Sequence, residues 1–427
     1  DPSNVLPEYP RPRMQRDGYA MLNGVWEYAI VSVDGGIGVE TLAQQAIPSH
    51  WDGQIVVPFS PEAPLSGVGR TVQPSEFLWY KRKIELPKLA DDQRLILHFG
   101  AVDWMCACFV NGKLAGTHTG GYLPFSFDVT DLLGSCEMGA NAHEAETGES
   151  AASAARTDSA DTADSADTAE LVLCVWDPSD TSSQLRGKQR LSRGDIWYTA
   201  QSGIWQSVWY EIVSAAHLES LTLKGDMFGA LEVKANVQAS GLAGVQTGAF
   251  KLELTLKDEL GQDVLLAKLP VDEAGEIAAE LHVDDPLLWS PESPHLYAAE
   301  ATLQRDGVAV DAAHSYCAFR SVEVKADEAG VPRVHLNGEP YFVRGVLDQG
   351  YWPDGLMTAP SDNALVYDID AMKSAGFNTL RKHIKIESER WYYHCDRLGM
   401  LVWQDCVSGG SAYSPWHTSQ KPTLFSF

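Results

Sequence analysis

The sequence predicts a multidomain, mainly β protein in which two β-sandwiches are followed by alternating strands and helices. Short runs rich in Val, Ile, Tyr, Phe and Trp, separated by Gly, Pro, Asn and Asp, fill residues 1–328 and are typical of strands. The pattern then changes to strand–helix alternation, which indicates a parallel sheet. A length of 427 residues suggests two to four domains at roughly 100–200 residues each.

The first domain is predicted to span residues 1–213 and to fold as a jelly-roll sandwich. No long amphipathic helix interrupts its strand-like runs, and Asn111-Gly112 after one of them is a hairpin signal. The predicted strands include residues 26–31, 78–84, 95–99, 108–110, 171–176 and 208–213.

Residues 137–170 are predicted to be a disordered acidic insertion in this domain. The segment has nine acidic residues against the single basic Arg156, and no aromatic or branched aliphatic residue. Such a composition cannot bury enough surface to offset the entropy of ordering. An acidic interaction arm is the functional alternative.

The second domain is predicted to span residues 214–328 and to be an immunoglobulin-like sandwich. Hydrophobic alternation is more regular here, and turn signals recur about every 10 residues, as expected for such a unit. The predicted strands include residues 218–223, 231–237, 250–256 and 296–303.

The third domain, residues 329–427, is predicted to be the start of a parallel (β/α)8, or TIM, barrel that is incomplete in this chain. Ser361 and Ser388 are helix N-cap signals, and Gly376 and Gly399 are the matching stop signals. Strands are expected at residues 341–347, 377–384 and 400–403, with a helix after each of the first two. Parallel strands joined in this way require right-handed crossovers.

Charge and hydropathy exclude two classes of partner. Lys and Arg number 32 against 58 Asp and Glu, so the net charge is -26. A chain this acidic is repelled by a phosphate backbone, so no nucleic-acid partner is expected. No run of 18 apolar residues predicts a membrane span, and no secretory signal is visible at the start.

The cysteines favour a cytoplasmic location. The seven cysteines have irregular spacings and form no C-x-x-C pair. Cys106 and Cys108 form a C-x-C, which in a strand is a poor zinc pair. We therefore expect reduced, mostly buried cysteines and predict no metal site from them.

Polar and aromatic residues collect after the carboxyl end of each predicted strand in the third domain. In a parallel barrel this face carries the active site. The candidate site residues at these strand ends are Asp348, Gln349, Trp352, Arg381, His383, Lys385 and Asp405. Trp352, Trp403 and Trp416 would add flat apolar faces, a combination that suits a sugar ring.

Arg381, His383 and Lys385 are spaced two residues apart, so an extended strand is expected to point all three to one side. Leu380 and Ile384 would then face the helices. Buried charges at a strand end are costly unless they meet a ligand or a partner carboxylate. A purely structural ion-pair network is the alternative interpretation.

Motifs of one family are spread over most of the chain. They are 22–26 (LNGVW), 57–62 (VPFSPE), 78–80 (LWY), 110–113 (VNGK), 120–125 (GGYLPF), 202–206 (SGIWQ), 288–297 (LWSPESPHLY) and 336–345 (LNGEPYFVRG). In addition, Asn378-x-Leu-Arg381 is followed by Asp396-x-x-Gly399. In these segments, and in the spacing of this last pair, which is that of the family's first signature, the chain resembles glycoside hydrolase family 2, the family of β-galactosidases, β-glucuronidases and β-mannosidases.

The resemblance implies a sugar-binding role for the first domain and hydrolysis of terminal non-reducing β-glycosides with retention, most similar to a β-galactosidase. Family members use two Glu residues for this double displacement. No Asn-Glu pair marks the acid/base in residues 329–427. Both catalytic Glu are therefore expected beyond Phe427, and the chain is interpreted as an N-terminal portion that is inactive alone.

The resemblance also assigns roles to the candidate residues. Arg381 resembles the Arg that holds the nucleophilic carboxylate ionised and oriented. Asp195 precedes the SGIW segment on a loop that in the family can reach the active site. Contacts to sugar hydroxyls are expected from Asp348, His383, Lys385 and Asp405, and further substrate contacts from Gln349 and Trp352.

Two departures from the family pattern indicate a divergent subgroup. The usual His-Tyr-Pro is replaced by Ile384, Lys385 and Ile386, and Asp405 stands where many members have Glu. A Lys in the site would also suit an acidic sugar, so a β-glucuronidase stays open, as do a β-mannosidase and a non-catalytic carbohydrate-binding protein. A Mg²⁺ or Na⁺ ion in the complete enzyme and a homo-oligomer are further open alternatives.

Overall fold

The computed structural model describes residues 2–33, 38–133, 168–239 and 249–408, and two β-sandwiches and a parallel sheet follow one another along the chain. This architecture confirms the prediction of a multidomain, mainly β protein. Within the described ranges, no helix is long and apolar enough to cross a membrane.

The first sandwich consists of two antiparallel sheets, with strand orders β1-β14-β5-β9 and β3-β2-β4-β10-β7-β8. Its elements are β1 Tyr19–Met21, β2 Gly24–Ser32, α1 Val39–Ala43, β3 Gly53–Val57, β4 Glu76–Glu85, β5 Gln93–Phe99, β6 Val102–Asp103, β7 Met105–Val110, β8 Lys113–Thr119, β9 Phe125–Asp128, β10 Thr168–Trp176, β11 Gln189–Arg190, β12 Tyr198–Thr199, β13 Gly203–Ile204 and β14 Val208–Ser214.

The core between these two sheets forms because apolar residues alternate along the strands. Trp26, Tyr80, Leu97 and Phe99 are among its fully buried members. Burying each such side chain stabilises the fold by about 1.5–3 kcal/mol before entropy is counted. The predicted Asn111-Gly112 hairpin is confirmed, since it joins β7 to β8.

The predicted insertion at residues 137–170 ends earlier than expected. Residues 137–167 lie outside the described residues, but Thr168, Ala169 and Glu170 belong to β10 and pair with β4. Ala169 is buried in the core, and the backbone N–H of Glu170 donates to Asn111 Oδ1 at 3.0 Å. These contacts continue the strand through residues that composition alone assigns to the insertion.

The second sandwich packs a three-stranded sheet, β15-β16-β19, on a four-stranded sheet, β18-β17-β20-β21. The strands are β15 Ala216–Gly225, β16 Ala230–Ala239, β17 Phe250–Lys257, β18 Asp263–Pro270, β19 Glu276–His282, β20 Tyr297–Arg305 and β21 Val308–Cys317. Alternate residues of β17 and β20 fill its core, among them Phe250, Leu252, Tyr297 and Leu303.

The remaining elements form a small antiparallel sheet and then a parallel sheet of order β25-β26-β27. They are β22 Val322–Ala326, β23 Pro332–Leu336, β24 Glu339–Pro340, β25 Gly345–Asp348, α2 Asp362–Ser374, β26 Thr379–Lys382, α3 Glu389–Leu398 and β27 Leu401–Gln404. Both β25–β26 and β26–β27 are parallel, as predicted.

The first parallel strand starts later than the predicted residue 341. The side chain of Asn378 hydrogen-bonds to the backbone of the residues just before this strand. Its Nδ2 donates to Phe342 O at 2.9 Å, and its Oδ1 accepts from Arg344 N at 2.8 Å. This side chain therefore takes the place of ladder hydrogen bonds until Gly345.

The two helices begin and end at the predicted positions, but of the two predicted N-cap serines only Ser361 makes a side-chain capping bond. Helix α2 begins after Ser361, whose Oγ accepts from Ala364 N at 3.2 Å, and helix α3 ends at Gly399 in the left-handed conformation. Leu365 and Ile369 of α2 pack with Trp391 of α3 over the sheet.

Ser361 and Ser388 form a matched pair for testing the caps. We expect Ser361→Ala to lower the free energy of unfolding by about 1 kcal/mol, since the backbone N–H of Ala364 loses its side-chain acceptor and keeps the Ser361 carbonyl oxygen at 3.1 Å. Ser388 makes no side-chain capping bond, so Ser388→Ala is expected to change it by less than about 0.5 kcal/mol. Urea unfolding measures both; equal effects would contradict the capping assignment.

Candidate functional site

The candidate site lies where the three parallel strands end. Asp348 of β25, Lys382 of β26 and Gln404 of β27 are the last residues in register. One residue earlier, Arg381 and Trp403 lie side by side on the open face of the sheet, where Trp403 is 60% exposed. The strand order therefore brings the predicted polar cluster together at one edge.

Arg381 is held by a two-point ion pair with Asp405. Its Nε donates to Oδ1 at 3.1 Å, and its Nη2 lies 3.0 Å from Oδ2. His383 Nε2 lies 4.0 Å from the same Oδ2. Burial, and then the charge of nearby Lys188, lower the pKa of His383 below its usual value. The group is therefore a fixed guanidinium beside an imidazole that favours its neutral form.

The prediction that Arg381, His383 and Lys385 share one side is wrong for Lys385. Strand β26 ends at Lys382, and Ile384 has a φ of 45°, in the left-handed region. The chain turns there instead of continuing as an extended strand. Lys385 consequently points into the protein, and Ile384 does not join Leu380 against the helices.

Lys385 lies in a buried ion-pair network. Its Nζ donates to the carbonyl oxygens of Gly350 and Met357, both at 2.7 Å, and to Glu387 Oε1. Lys382, 1% exposed, has its Nζ 3.3 Å from the same Oε1 and 4.0 Å from the centre of the Trp391 ring. All three donors of the Lys385 ammonium are therefore occupied by protein acceptors.

Asp348 completes this network. Its Oδ2 lies 2.9 Å from Lys382 Nζ, and its Oδ1 accepts from Gly350 N at 2.8 Å. Burial disfavours the charged form of Glu387, but Lys382 and Lys385 outweigh it and hold the pKa of Glu387 below its usual value. Burial lowers the pKa of Lys385. Two ammonium groups and two carboxylates thus balance one another.

Besides Asp405, whose Oδ2 is ion-paired with Arg381, three predicted site residues carry buried polar atoms without a hydrogen-bond partner. These atoms are Gln349 Oε1, Trp352 Nε1 and His383 Nδ1. Gln349 and His383 also line one small cavity at the strand ends. Buried polar groups are normally paired, so the packing at the strand ends leaves these three atoms unsatisfied.

The first sandwich contributes to this cavity through residues that the sequence analysis missed. Tyr198 stacks on Tyr351 with ring centres 4.1 Å apart. Lys188 lies with its Nζ 5.8 Å from the centre of the Tyr198 ring, and Tyr122 completes the wall. Strands β11 and β12 are two residues long each, so the sequence carries no periodic pattern that could have indicated these residues.

Asp195, the residue predicted to reach the site from this loop, is exposed at the tip of a tight turn between Gly194 and Trp197. The structure places Lys188 and Tyr198 of the same loop, and not Asp195, among the residues that line the cavity. Trp352 packs with the helices, Trp403 is exposed, and Trp416 lies outside the described residues.

The loop that carries Gln349 and Trp352 is fixed to the first sandwich. Met357 N donates to Gln201 Oε1 at 3.0 Å, and Thr358 Oγ1 donates to Trp205 O at 2.6 Å. Thr358 and Met357 are buried. The sandwich and the parallel sheet therefore build the candidate site jointly.

Buried carboxyl groups lie in the first sandwich next to Gln201, which holds the loop of Met357. Burial raises the pKa of Glu62 to about 8 and that of Asp177 to about 6. Ser202 joins the two, since its Oγ donates to Asp177 Oδ2 at 2.8 Å and its N to Glu62 Oε2 at 3.1 Å. Asp103, whose pKa burial also raises, accepts from Gln189 Nε2 at 3.1 Å.

In the part of the chain that the structure describes, no three His, Cys, Asp or Glu side chains are grouped so that they could hold a metal ion. The carboxylates nearest the strand ends are already engaged by Arg381, Lys382 and Lys385.

Comparison with known proteins assigns the family. Residues 20–141 match the sugar binding domain of glycosyl hydrolases family 2, and residues 216–320 match glycosyl hydrolases family 2 itself. The chain belongs to glycosyl hydrolases family 2. This confirms the resemblance drawn from its sequence segments.

Individual relatives agree with this assignment. A β-galactosidase of Thermoanaerobacter pseudethanolicus is 23% identical over 330 residues, which cover 77% of this chain and 39% of that protein. A β-galactosidase of Vibrio cholerae is 24% identical over 410 residues, covering 89% and 35%. The chain thus spans well under half the length of these relatives.

The fold is shared with a solved structure. Bifidobacterium dentium β-glucuronidase, complexed with coumarin-3-O-glucuronide, matches with a TM-score of 0.67 at 18% identity. The match covers 93% of this chain and 62% of that chain. At this identity the likeness concerns the fold alone.

Proposed function

We propose that the protein hydrolyses terminal non-reducing β-glycosides by a retaining double displacement, and that its preferred sugar is a β-galactoside. We also propose that β25, β26 and β27 are the first strands of a TIM barrel, and that the domains are residues 1–213, 214–328 and 329–427. Family membership and the position of the candidate site at the carboxyl ends of parallel strands support this.

The observation that carries the proposal is the Arg381–Asp405–His383 group. Asp405 occupies Nε and Nη2 of Arg381 and leaves Nη1 for another acceptor. A guanidinium fixed in this way can orient a carboxylate and keep it ionised. His383, whose side chain is 22% exposed, adds an imidazole at the same strand end.

Retention requires two carboxyl groups about 5–5.5 Å apart, one as nucleophile and one as acid/base. The expectation that both lie beyond Phe427 stays a prediction. Within the described residues, the carboxylates at the strand ends have structural partners: Asp348 and Glu387 contact Lys382, and Asp405 contacts Arg381.

The balance of charges favours a neutral sugar. Each cation at the ends of β26 is compensated by a carboxylate, namely Arg381 by Asp405 and the two lysines by Asp348 and Glu387. An incoming uronate would therefore find little unneutralised positive charge on the parallel sheet.

One observation favours the alternative of a β-glucuronidase. Lys188 borders the small cavity beside His383 and, among the described residues, has no carboxylate partner. An unpaired ammonium facing a sugar pocket suits a uronic acid carboxylate.

A substrate panel distinguishes the two sugars. The product of the complete gene would be assayed on aryl β-galactoside, β-glucuronide and β-mannoside. We expect the galactoside to be preferred, and Lys188→Met to change its kcat/KM by less than about threefold, because a neutral sugar makes no ion pair. Lys113→Met, on a remote hairpin turn, is the matched control.

The opposite pattern would establish the glucuronidase. In that case the glucuronide would be preferred, and Lys188→Met would lower its kcat/KM by about tenfold or more through loss of a charge-assisted hydrogen bond. Saturable sugar binding without turnover of any aryl glycoside would instead favour a non-catalytic carbohydrate-binding protein.

A further inference from the structure

A short segment of the first sandwich, residues 186–188, contacts the loops that follow β26 and β27; we call it the contact segment. The backbone N–H groups of Arg186 and Gly187 both donate to Ser408 O, at 3.0 and 2.9 Å. Gly187 also borders the other loop, since a Cβ added to it would lie 2.9 Å from Ile384 O. The contact segment therefore touches both loops at the strand ends through its backbone.

The close approach to Ile384 requires glycine at position 187. Gly187 is buried and has a φ of +61°, in the left-handed region that favours glycine. A Cβ at this position would be closer to Ile384 O than Cβ atoms come to other atoms in folded proteins, and it would lie 3.3 Å from Tyr122 Oη. Because the nearer atom belongs to the backbone, no side-chain rotation can relieve the clash.

The loop after β26 is fixed from within the parallel sheet. His383 N donates to Asp348 O at 2.8 Å, and Lys385 O accepts from Gln404 Nε2 at 2.8 Å. Asp405 is held in addition by its two-point ion pair. A clash at position 187 is therefore expected to displace the contact segment and to leave the imidazole and its neighbouring carboxylate in place.

The contact segment brings a positive charge to the candidate site. Lys188 and His383 line the same small cavity. Burial first, and then the charge of Lys188, lower the pKa of His383, and Arg381 acts in the same direction while Asp405 opposes them. The other titratable side chains that line this cavity are Tyr122, Tyr198, Tyr351 and Lys385. Displacement of the contact segment would remove one charge and part of the cover from His383.

We propose that Gly187 is a positioning residue for the candidate site: because it has no side chain, the contact segment lies against Ile384 and holds Lys188 beside His383. The first sandwich thereby keeps the imidazole in its neutral form, which both donates and accepts hydrogen bonds. A role of His383 in hydrolysis rests on the proposed function. The position of the contact segment is a property of the 427-residue chain and is tested without a substrate.

The test is an NMR titration of the histidine rings of the 427-residue chain at low salt, from about pH 4.5 to pH 8.5. His383→Gln identifies the His383 signal by its loss. We expect the pKa of His383 to lie below the ordinary value of about 6.5. Lys188→Met should raise it by about 0.4, because a nearby positive charge is removed. Gly187→Ala should raise it by at least as much, because Lys188 moves away with the contact segment.

Gly112→Ala is the matched control. Gly112 is exposed in the hairpin between β7 and β8 and has a φ of +74°, and no atom of the described residues lies within 4 Å of an added Cβ. This change carries the same backbone strain without the clash, so the pKa of His383 should stay within about 0.1 of the parent value. In the double variant Gly187→Ala with Lys188→Met, the rise should be smaller than the sum of the two single effects, since both remove the same charge.

Hydrogen exchange of the parent chain provides a test that needs no variant. The amides of Arg186 and Gly187 should exchange at least about tenfold more slowly than unstructured amides, since both donate to Ser408 O. Unprotected amides at these two positions would contradict the contact and overturn the proposal.

Three results of the titration would also overturn the proposal. They are an unchanged pKa of His383 in Lys188→Met or in folded Gly187→Ala, an equal rise in Gly112→Ala, or fully additive effects in the double variant. Thermal unfolding verifies that each variant is folded; if Gly187→Ala is not, Lys188→Met and the exchange of the parent chain decide. Failure of the complete protein to hydrolyse glycosides would change none of these measurements.

Discussion

Replacement of Glu211 by alanine is expected to destabilise the protein by about 3–5 kcal/mol, the usual cost of removing one partner from a buried ion-pair network. Glu211 is 0% exposed and lies between Arg16 at 2.8 Å and Arg11 at 2.9 Å, with His98 at 3.6 Å. Arg16 continues to Asp311 of the second sandwich at 2.8 Å. Without Glu211, buried Arg16 keeps only Asp311 as a carboxylate partner, and partly buried Arg11 loses the carboxylate that it contacts in the described part of the chain.

The same network predicts how stability depends on pH. Burial opposes ionisation of Glu211, but His98, Arg11 and Arg16 outweigh it and hold its pKa far below the usual value. A depressed pKa gives stability that is fully present above the unfolded pKa of about 4.3 and is lost as the pH falls toward the folded pKa. Acidification from pH 5 to pH 3 should therefore destabilise the parent chain more than Glu211→Ala.

Urea unfolding at pH 7 and at lower pH measures both effects. Glu280→Ala is the control, because Glu280 is exposed on β19, and it should change the free energy of unfolding by less than about 0.5 kcal/mol. A loss below about 1 kcal/mol for Glu211→Ala, or parallel acid profiles for the two chains, would contradict this role of Glu211.

The second large effect is expected for Lys385→Met, which should destabilise the third domain by about 3–5 kcal/mol. The change removes the donor to two carbonyl oxygens and leaves Glu387 with Lys382 as its remaining cation. Because Gly350 and Met357 belong to the loop that carries Trp352, we also expect faster amide exchange in residues 349–357.

A double variant distinguishes the stability lost through an unpaired buried charge from the stability lost through altered packing. Lys385→Met with Glu387→Leu removes both charges and should recover part of the loss, because a buried ion pair can be replaced by apolar side chains at little cost. Lys224→Met, at an exposed position of β15, is the matched control and should be nearly neutral. A neutral Lys385→Met, or a double variant less stable than it, would contradict the network.

Local chemistry accounts for the parts of the fold that were predicted well. The caps at Ser361 and Gly399 and the Asn111-Gly112 hairpin each depend on a few neighbouring residues. Their backbone preferences need no knowledge of the rest of the chain. The order of strands and helices in the third domain follows from the same signals.

The errors arise where distant parts of the chain decide the local structure. Lys385 lies on the expected side only if β26 continues, but the positive φ of Ile384 turns the chain toward Gly350 and Met357. Residues 168–170 look like the acidic insertion, but pairing with β4 makes them a strand. Neither contact produces a periodic pattern of hydrophobic residues from which it could be predicted.

In the candidate site, too, the residues at the strand ends could be predicted from the sequence, whereas those that come from a distant part of the chain could not. Arg381, His383 and Asp405 were predicted from their positions at strand ends, and the structure brings them together. Lys188 and Tyr198 were missed because they reach the site from the first sandwich, across a contact between domains. Sequence spacing cannot indicate such a contact, and the family resemblance points instead to Asp195 of the same loop.

The most direct test of the proposed function is the configuration of the sugar first released by the complete gene product from an aryl β-galactoside, followed by proton NMR. We predict turnover and initial release of the β-anomer, because a double displacement retains configuration. Initial release of the α-anomer, or no turnover of any aryl β-glycoside by a folded protein, would contradict a retaining β-glycosidase.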